Sequence, residues 1–247
     1  HGEVLPDGLR RLRLLLATDG SEYSQAPRIV ATALAGQMAV ALDAMTMVQP
    51  GAEPERARLR LDVVREAAEP LGVHCETIVV EGSDPTKAVV GAARQTDAQL
   101  LVIGRTPPKG IAERMVGAHA ARIIDEAPCH VLVVPKGAGL WKTRILVGYD
   151  ANPSSSAALE IAATLAKSAN IPITLGTVAK EGDKSASVIL ALAEEAAANL
   201  RLEGVEADAR LAYGAPAQAL MSLARDTGAD LIVLGKRQGG LNRLLPN

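Results

Sequence analysis

Aromatic side chains are nearly absent from this chain. Its 247 residues include no phenylalanine, one tryptophan and three tyrosines, so that aromatic residues make up 2% of the composition. Hydrophobic residues nevertheless account for 48%. The core must therefore be aliphatic and rich in alanine, which favours helices layered on strands of valine, isoleucine and leucine and argues against a β-sandwich.

Runs of like charge and long apolar runs are also missing. The formal net charge is −2, and no basic cluster indicates a surface for nucleic acid or for an anionic membrane. The longest apolar stretches are far shorter than the roughly 20 residues of a membrane span. We therefore expect a cytoplasmic protein, without membrane insertion, whose partners are small ligands or other proteins.

Metal and redox sites have little support in the sequence. The two cysteines, Cys75 and Cys129, form no CxxC pair and are expected to be buried free thiols. The four histidines show no spacing typical of metal ligands. No histidine or glutamate accompanies a candidate nucleophile, so the sequence indicates no enzyme.

An internal repeat organises the chain. The segment "RLLLATDGS" resembles "RILVGYDAN", which pairs Asp19 with Asp150, and "DAQLLVIGR" resembles "GADLIVLGK", which pairs Gly104 with Gly235. Both pairs are separated by 131 positions, and Ser24 matches Ser155 at the same offset. A tandem duplication therefore predicts two domains of one fold, at residues 1–137 and 143–247, joined by a linker that contains Trp141.

Each copy alternates short apolar runs with segments of helical period, which is typical of βαβ units in a parallel sheet. Copy one has five predicted strands and four predicted helices. Copy two has four strands and three helices, and its last helix and strand are expected to be missing from the given chain. The predicted strands are 12–18, 39–48, 74–80, 98–104 and 130–135, then 144–149, 171–178, 206–212 and 229–234; the predicted helices are 22–35, 54–71, 84–96, 111–126, 153–168, 184–203 and 215–227.

One aspartate follows the first strand of each copy. In an open parallel sheet, ligands bind at the carboxyl ends of the strands, where the strand order reverses, and this is where Asp19 and Asp150 are predicted to lie. A carboxylate there can accept hydrogen bonds from a ribose or a heterocycle, while Gly20 turns the chain into the next helix. Capping of that helix by the aspartate is an equally good interpretation.

A second strand end carries glycine. Gly104 ends "LLVIG" and opens a loop that contains Gly110 and leads to a helix near Gly117. Glycines let backbone amides approach an anion closely, so this loop is a candidate phosphate cradle. It matches neither the dinucleotide-binding GxGxxG pattern nor the P-loop.

Taken together, these segments resemble the tandem universal stress proteins of the UspA-like family. In that family one strand ends in Asp, as in "LLATDGS" and "ILVGYD", and a later strand ends in glycine. The following loop has the pattern Gly, two residues, Gly, nine residues, Gly, then Ser or Thr. The domain closes with a strand like "APCHVLVVP". The resemblance implies two Rossmann-like α/β domains with five-stranded parallel sheets, and in many members a bound ATP, with or without Mg²⁺.

The resemblance also implies a set of nucleotide-binding residues. The aspartates would meet the ribose or adenine, the second strands would offer backbone groups to adenine, and the glycine loops would line the phosphates. The residues are Asp19, Gly20, Met47, Gly104, Gly110 and Gly117 in copy one, and Asp150, Val178, Gly235, Arg237, Gly239 and Gly240 in copy two.

The loop of copy one departs from the family pattern. Pro107 stands at the second glycine position and Ala118 at the hydroxyl position, so an amide donor and a hydroxyl are lost. Copy two, with "GKRQGGLNRLLPN", fits the pattern better if one residue is deleted. We therefore expect copy two to be the better nucleotide site.

Two functions remain open. One is a non-catalytic regulatory protein in which ATP or another adenine nucleotide changes a surface for unknown protein partners, with slow ATP hydrolysis at most a by-product. The other is a nucleotide-free adaptor of the same fold that acts by oligomerisation.

The strand "HVLVVP" would leave an unprotected sheet edge, and in the family such strands pair between domains. The resemblance thus implies an intramolecular pseudo-dimer; homodimerisation beyond it is compatible with the sequence but is not encoded in any of its patterns.

Overall fold

The fold is taken from a computed structural model that describes residues 12–105 and 118–236. Its contacts divide the chain into two units, His1–Leu140 and Trp141–Asn247. We refer to them as unit 1 and unit 2. Each is an α/β unit built around one parallel sheet, as the repeat predicts.

Unit 1 contains a five-stranded parallel sheet in the order β3-β2-β1-β4-β5. The order reverses between β1 and β4, which is the switch point typical of doubly wound folds. Short 3₁₀ turns at Glu22–Ser24 and Glu69–Leu71 precede α1 and follow α2. The elements are β1 Arg13–Ala17, α1 Gln25–Met38, β2 Ala41–Val48, α2 Glu55–Ala68, β3 Cys75–Glu81, α3 Pro85–Gln95, β4 Leu100–Gly104, α4 Ala118–Glu126 and β5 His130–Val134.

Unit 2 repeats this order with fewer strands. Within residues 141–236 its sheet has four parallel strands in the order β8-β7-β6-β9, so β6 and β9 take the places of β1 and β4. The predicted absence of a last helix and strand concerns residues beyond 236, which lie outside the described part. The elements are β6 Ile145–Gly148, α5 Pro153–Ala169, β7 Ile173–Ala179, α6 Ala186–Leu202, β8 Ala207–Tyr213, α7 Pro216–Thr227 and β9 Leu231–Leu234.

The central strand of unit 1 is buried on both faces. Leu14, Leu15 and Leu16 are all 0% exposed, as expected when crossover helices cover both sides of a parallel sheet. Leu15 packs on one face with Met45 and Leu101 and with residues of α3 and α4. This explains why the strand reads as a continuous apolar run in the sequence.

The helix that follows the first strand has a side-chain cap only in unit 2, but it ends in the same way in both units. Asn152 caps α5 by accepting a hydrogen bond from the Ser155 N–H at 2.9 Å, and Pro153 occupies the first helical position. The three serines after Pro153 therefore belong to helix initiation. At the other ends, Ala39 after α1 and Asn170 after α5 both adopt a left-handed conformation with φ of 52°.

The two units place one arginine–aspartate pair differently. In unit 1 Arg13 pairs with Asp43 of β2 at 3.1 Å. In unit 2 the counterpart Arg144 contacts Asp208 of β8 at 2.8 Å, and Thr174 of β7 donates to the same carboxylate at 2.7 Å. The acidic partner of the arginine has thus moved one strand outward.

The linker is anchored at both ends. Lys136 donates to Glu22 of unit 1 at 2.5 Å. In unit 2, Asp230 accepts hydrogen bonds from the backbone N–H groups of Lys142, Thr143 and Arg144. Trp141 of the linker is buried, with 5% of its surface exposed. Among the described residues, no helix combines the length and apolar character needed to span a bilayer.

Candidate functional site

The aspartate and glycine strand ends lie at one edge of each sheet. In unit 1, β1 and β4 are neighbours and their last paired residues are Ala17 and Ile103, so Asp19, just beyond β1, and Gly104, the last residue of β4, lie at adjacent strand ends at the switch point. In unit 2, Gly148 pairs with Leu234, which places Asp150 and Gly235 in the same relation. Each unit therefore has a strand-tip site where a parallel sheet binds its ligands.

The Asp19 side chain is held by its own loop. Its Oδ1 accepts hydrogen bonds from the Ser24 hydroxyl at 2.5 Å and from the Ser21 N–H at 2.9 Å. Partial burial acts to raise the pKa of Asp19, but the hydrogen bonds from Ser24 and Ser21 outweigh it and lower the pKa below the usual value. Asp19 is thus an oriented carboxylate that is ionised at neutral pH.

The Asp150 side chain uses a different set of donors. Asn152 donates to Asp150 Oδ2 from its side-chain amide at 2.7 Å and to Oδ1 from its backbone N–H at 3.4 Å. Both carboxylate oxygens of Asp150 are therefore engaged, whereas the hydrogen bonds to Asp19 both go to Oδ1. The helix cap in unit 2 is Asn152 rather than Asp150, so capping does not account for this aspartate.

A serine five residues after each aspartate is a site residue that the sequence interpretation missed. The backbone N–H of Asp19 donates to Ser24 Oγ at 3.3 Å, and that of Asp150 donates to Ser155 Oγ at 3.4 Å. The repeat could have identified these serines, since Ser24 and Ser155 match at the repeat offset. The serine hydroxyl fixes the chain reversal that presents the aspartate.

The second strands extend past the first strands on the side of the switch point. In a parallel strand, a residue directs its N–H and C=O to one neighbouring strand and the next residue directs them to the other. Met45 O accepts from Thr18 N at 2.9 Å, whereas Val48 O accepts from Gly82 N at 2.9 Å. Met47 therefore faces the β1 side, two residues beyond the last β1–β2 pair.

The same geometry recurs in unit 2. Gly176 O accepts from Tyr149 N at 3.0 Å and Ala179 O accepts from Gly214 N at 3.1 Å. Val178 therefore directs its backbone groups toward the side of β6, beyond the end of that strand at Gly148. Met47 and Val178 can each offer an N–H and a C=O to a heterocycle at the strand-tip site.

The strand-end glycines allow close backbone packing. A Cβ atom on Gly104 would lie 2.7 Å from the carbonyl oxygen of Tyr23, and one on Gly235 would lie 2.3 Å from that of Ser154. Real Cβ contacts are essentially never this short. Both glycines therefore have a structural role in addition to the phosphate role predicted for them.

The remaining predicted residues divide into two groups. Gly20 lies in the β1–α1 turn with φ of +72°, and its counterpart Ala151 adopts φ of 58°. The turn thus requires a left-handed residue in both units, and glycine is the residue that adopts this conformation without strain. The other residues lie outside the described part of the chain, which leaves the loop predictions untested: Gly110, Gly117, Arg237, Gly239 and Gly240, together with Pro107.

The cysteines are free but only half-buried, which corrects the expectation of buried thiols. The reason is their position, because Cys75 begins β3 and Cys129 precedes β5, the two edge strands of the sheet. Burial and then the Asp43 charge raise the pKa of Cys75 to about 11, against the opposing effect of Arg65. Among the described residues, no group of three or more His, Cys, Asp or Glu is arranged to hold a metal ion.

Comparison with known protein families agrees with the division into two units. The sequence model described as "Universal stress protein family" matches twice, over residues 11–135 and 142–246. The chain belongs to the universal stress protein family. The two matches correspond to the two structural units, so the chain carries two copies of the family domain.

Individual relatives agree with this assignment. A universal stress protein of Methanocaldococcus jannaschii is 37% identical over 82 residues, which is 33% of this chain and 48% of that protein. The matched segments thus span about half the length of the first curated relatives, 48% and 50%.

Two solved structures extend the comparison. The structure of a universal stress protein from Archaeoglobus fulgidus covers 92% of this chain, and 88% of its own chain is matched, with a TM-score of 0.77 at 21% identity, which shows the shared fold. Another universal stress protein, solved in complex with cAMP, matches 51% of this chain and 98% of its own at 29% identity and a TM-score of 0.41. The cyclic nucleotide is a ligand of that protein.

Proposed function

We propose that this universal stress protein is a non-catalytic regulatory protein that binds ATP or another adenine nucleotide at the strand-tip site of at least one unit. The observation that carries the proposal is that three features lie at one switch point in both units. They are an oriented aspartate, a glycine at a strand end, and a residue of the second strand whose backbone N–H and C=O lie beyond the end of the first strand. Occupancy of the site would alter a surface that protein partners recognise.

The residues of unit 1 fit such a ligand chemically. Asp19 Oδ2 can accept a hydrogen bond from a ribose hydroxyl, since the bonds from Ser24 and Ser21 both go to Oδ1. The backbone N–H and C=O of Met47 can pair with the edge of an adenine ring. The phosphates would extend toward the loop that follows Gly104, and Mg²⁺ would neutralise part of their charge.

Unit 2 has the same elements, but its aspartate has fewer open acceptor positions and its loop sequence fits the family pattern better. Asp150 has both carboxylate oxygens engaged by Asn152, but its following loop sequence, with Arg237, Gly239 and Gly240, matches the family pattern better. We propose that unit 2 is the better nucleotide site because phosphate contacts supply much of the affinity for a nucleotide.

A nucleotide-free adaptor is the second candidate, and one observation favours it. Asp19, Gly104, Asp150 and Gly235 all take part in hydrogen bonds or close packing that hold the strand tips together without a ligand. A protein of this fold could therefore keep these residues for structure and act through oligomerisation. Cytoplasmic location and the intramolecular pseudo-dimer belong to both proposals.

Calorimetry on the full chain separates the two candidates. We expect the wild type to release heat with ATP and Mg²⁺, and Asp150→Ala to weaken binding more than Asp19→Ala. Asp226→Ala is the matched control, because Asp226 is an exposed aspartate of α7 remote from the strand tips. Absence of binding by the wild type would contradict the nucleotide proposal and leave the adaptor.

A further inference from the structure

A cleft of about 290 Å³ lies beside the β1–α1 turn of unit 1, on the side of α2. It is lined by Thr18, Gly20, Ser21 and Ser24 of the strand tip and turn, by Arg28 of α1, and by Arg60 and Val64 of α2. None of the residues assigned to nucleotide binding except Gly20 lines it. The cleft shares Gly20 and Ser24 with the strand-tip site and extends from it along α1 and α2.

Two arginines line this cleft and have no carboxylate partner among the described residues. Within the described residues, neither Arg28 nor Arg60 takes part in an ion pair, while Arg58 and Arg65 on the same helix pair with Glu55 and Asp62. Glu22 also lines the cleft, but it is paired with Lys136 at 2.5 Å. Arg28 and Arg60 bring two positive charges to the cleft, and these would attract an anionic ligand.

Gly20 is what allows Arg60 to reach the turn. A Cβ atom on Gly20 would lie 2.7 Å from Arg60 Cδ and 3.1 Å from its Nε, so the arginine stem lies directly across the glycine. Unit 2 has Ala151 at the position of Gly20 and Ala191 at the position of Arg60, both at the repeat offset. The glycine and the arginine thus occur together in unit 1 and are both replaced in unit 2, where Leu159 also replaces Arg28.

Two buried hydroxyl groups on this side of the sheet lack partners among the described residues, and one of them, that of Ser21, lines the cleft. Ser21 Oγ and Thr46 Oγ1 are buried and make no hydrogen bond of normal geometry among the described residues, although the Ser21 side chain helps to lower the pKa of Asp19. Thr46 lies one residue beyond the Ala17–Met45 pair; because Met45 packs toward α3 and α4, alternation directs Thr46 to the face of the cleft. In unit 2 the counterpart Thr177 donates to Arg210 O at 3.3 Å.

We propose that this cleft of unit 1 is a phosphate-binding site in which Arg28 and Arg60 hold the anion and Ser21 donates to it. Planar guanidinium groups match phosphate oxygens geometrically. The ligand is a phosphate group, either free or carried by a small molecule. The replacement of both arginines confines the site to unit 1.

Titration of the full chain with inorganic phosphate, followed by calorimetry, tests this site. We expect binding by the wild type, and a loss of about tenfold for Arg60→Gln and for Arg28→Gln, the effect of one charge-assisted hydrogen bond. Arg56→Gln is the matched control, because Arg56 is an exposed arginine of α2 outside the cleft. Absence of phosphate binding, or an equal loss with Arg56→Gln, overturns the proposal.

A second titration, with ATP, identifies the source of the phosphate. If Arg60→Gln weakens ATP binding as well as phosphate binding, the cleft receives phosphates carried by a nucleotide. If it weakens only phosphate binding, the cleft takes a separate phosphate ligand. ATP binding that persists while the wild type binds no phosphate would overturn this site and leave the nucleotide function standing.

Discussion

The backbone at Gly235 packs so closely on Ser154 that a Cβ atom on the glycine would lie 2.3 Å from the serine carbonyl oxygen. The corresponding distance from Gly104 to the carbonyl oxygen of Tyr23 is 2.7 Å, and Tyr23 and Ser154 are themselves 131 positions apart. Both units therefore hold the end of one strand against the start of a helix by the same contact. The strand-tip geometry depends on it.

Alanine at these glycines is expected to destabilise the unit that contains it. Because the added methyl group would meet backbone atoms, which cannot rotate away, we expect Gly104→Ala to lower the free energy of unfolding by about 1–3 kcal/mol. Gly235→Ala is expected to cost more, since its contact is shorter. Urea denaturation followed by circular dichroism measures both effects.

Gly91→Ala provides the control for these variants. Gly91 lies within α3, and a Cβ atom there would meet nothing within 4 Å. We expect this change to stabilise unit 1 by roughly 0.5–1 kcal/mol, because alanine loses less backbone entropy in a helix. A destabilisation by Gly91→Ala equal to that of Gly104→Ala would contradict the packing explanation.

The end of α1 offers a stabilising change. Ala39 adopts the left-handed conformation that Asn170 adopts after α5, and asparagine tolerates this conformation better than alanine. We expect Ala39→Asn to raise the free energy of unfolding by about 0.5–1 kcal/mol, and Asn170→Ala to lower it by a similar amount. Opposite shifts of the thermal midpoints in the two variants would support the assignment; equal signs would contradict it.

The fold could be predicted because its signals are local and repeated. The apolar run Leu14–Leu16 and its counterpart at the repeat offset predict both central strands, and every predicted strand is present in the described residues. The helix ends were less predictable. The predicted helix 22–35 continues to Met38, because the residue that ends it, Ala39, carries none of the glycine or asparagine signal typical of a left-handed cap.

The candidate site could be predicted only in part. Strand order places Asp19 beside Gly104, and this follows from a pattern typical of parallel sheets. The contact of Arg60 with Gly20 could not be predicted, since it joins residues 40 positions apart through the packing of α2 on the turn. The packing role of Gly104 likewise depends on a backbone approach that no local pattern encodes.

The Ser24 hydroxyl is expected to set the ionisation of Asp19. Burial opposes the charged form of Asp19 and the hydrogen bond from Ser24 favours it, so Ser24→Ala should raise the pKa of the Asp19 carboxyl. Carboxyl titration by NMR measures this shift. Ser24→Thr keeps the hydroxyl and should leave the pKa near that of the wild type; an equal rise in both variants would show that the hydrogen bond is not the cause.

Asp43 and Asp208 are expected to make stability depend on pH in opposite directions. Asp43 is 1% exposed; burial raises its pKa, Arg13 opposes this, and the neighbouring Glu76 adds to it. A raised pKa in the folded state means that the native protein binds the proton more tightly than the unfolded chain. Its stabilising effect is complete below the unfolded-state pKa and is lost as the pH rises through the folded-state pKa.

Asp208 makes stability depend on pH with the opposite sign. Burial acts to raise its pKa, but hydrogen bonds from Thr174 and Arg210 and the charge of Arg144 lower it, so its stabilising effect is present above the unfolded-state pKa and is lost as the pH falls through the folded-state pKa. Relative to wild type, Asp43→Asn should therefore gain stability as the pH rises from about 3 to 7, and Asp208→Asn should gain stability as the pH falls over the same range. Urea denaturation at each pH measures both slopes, and slopes of the same sign would show that the two carboxylates do not differ as their surroundings imply.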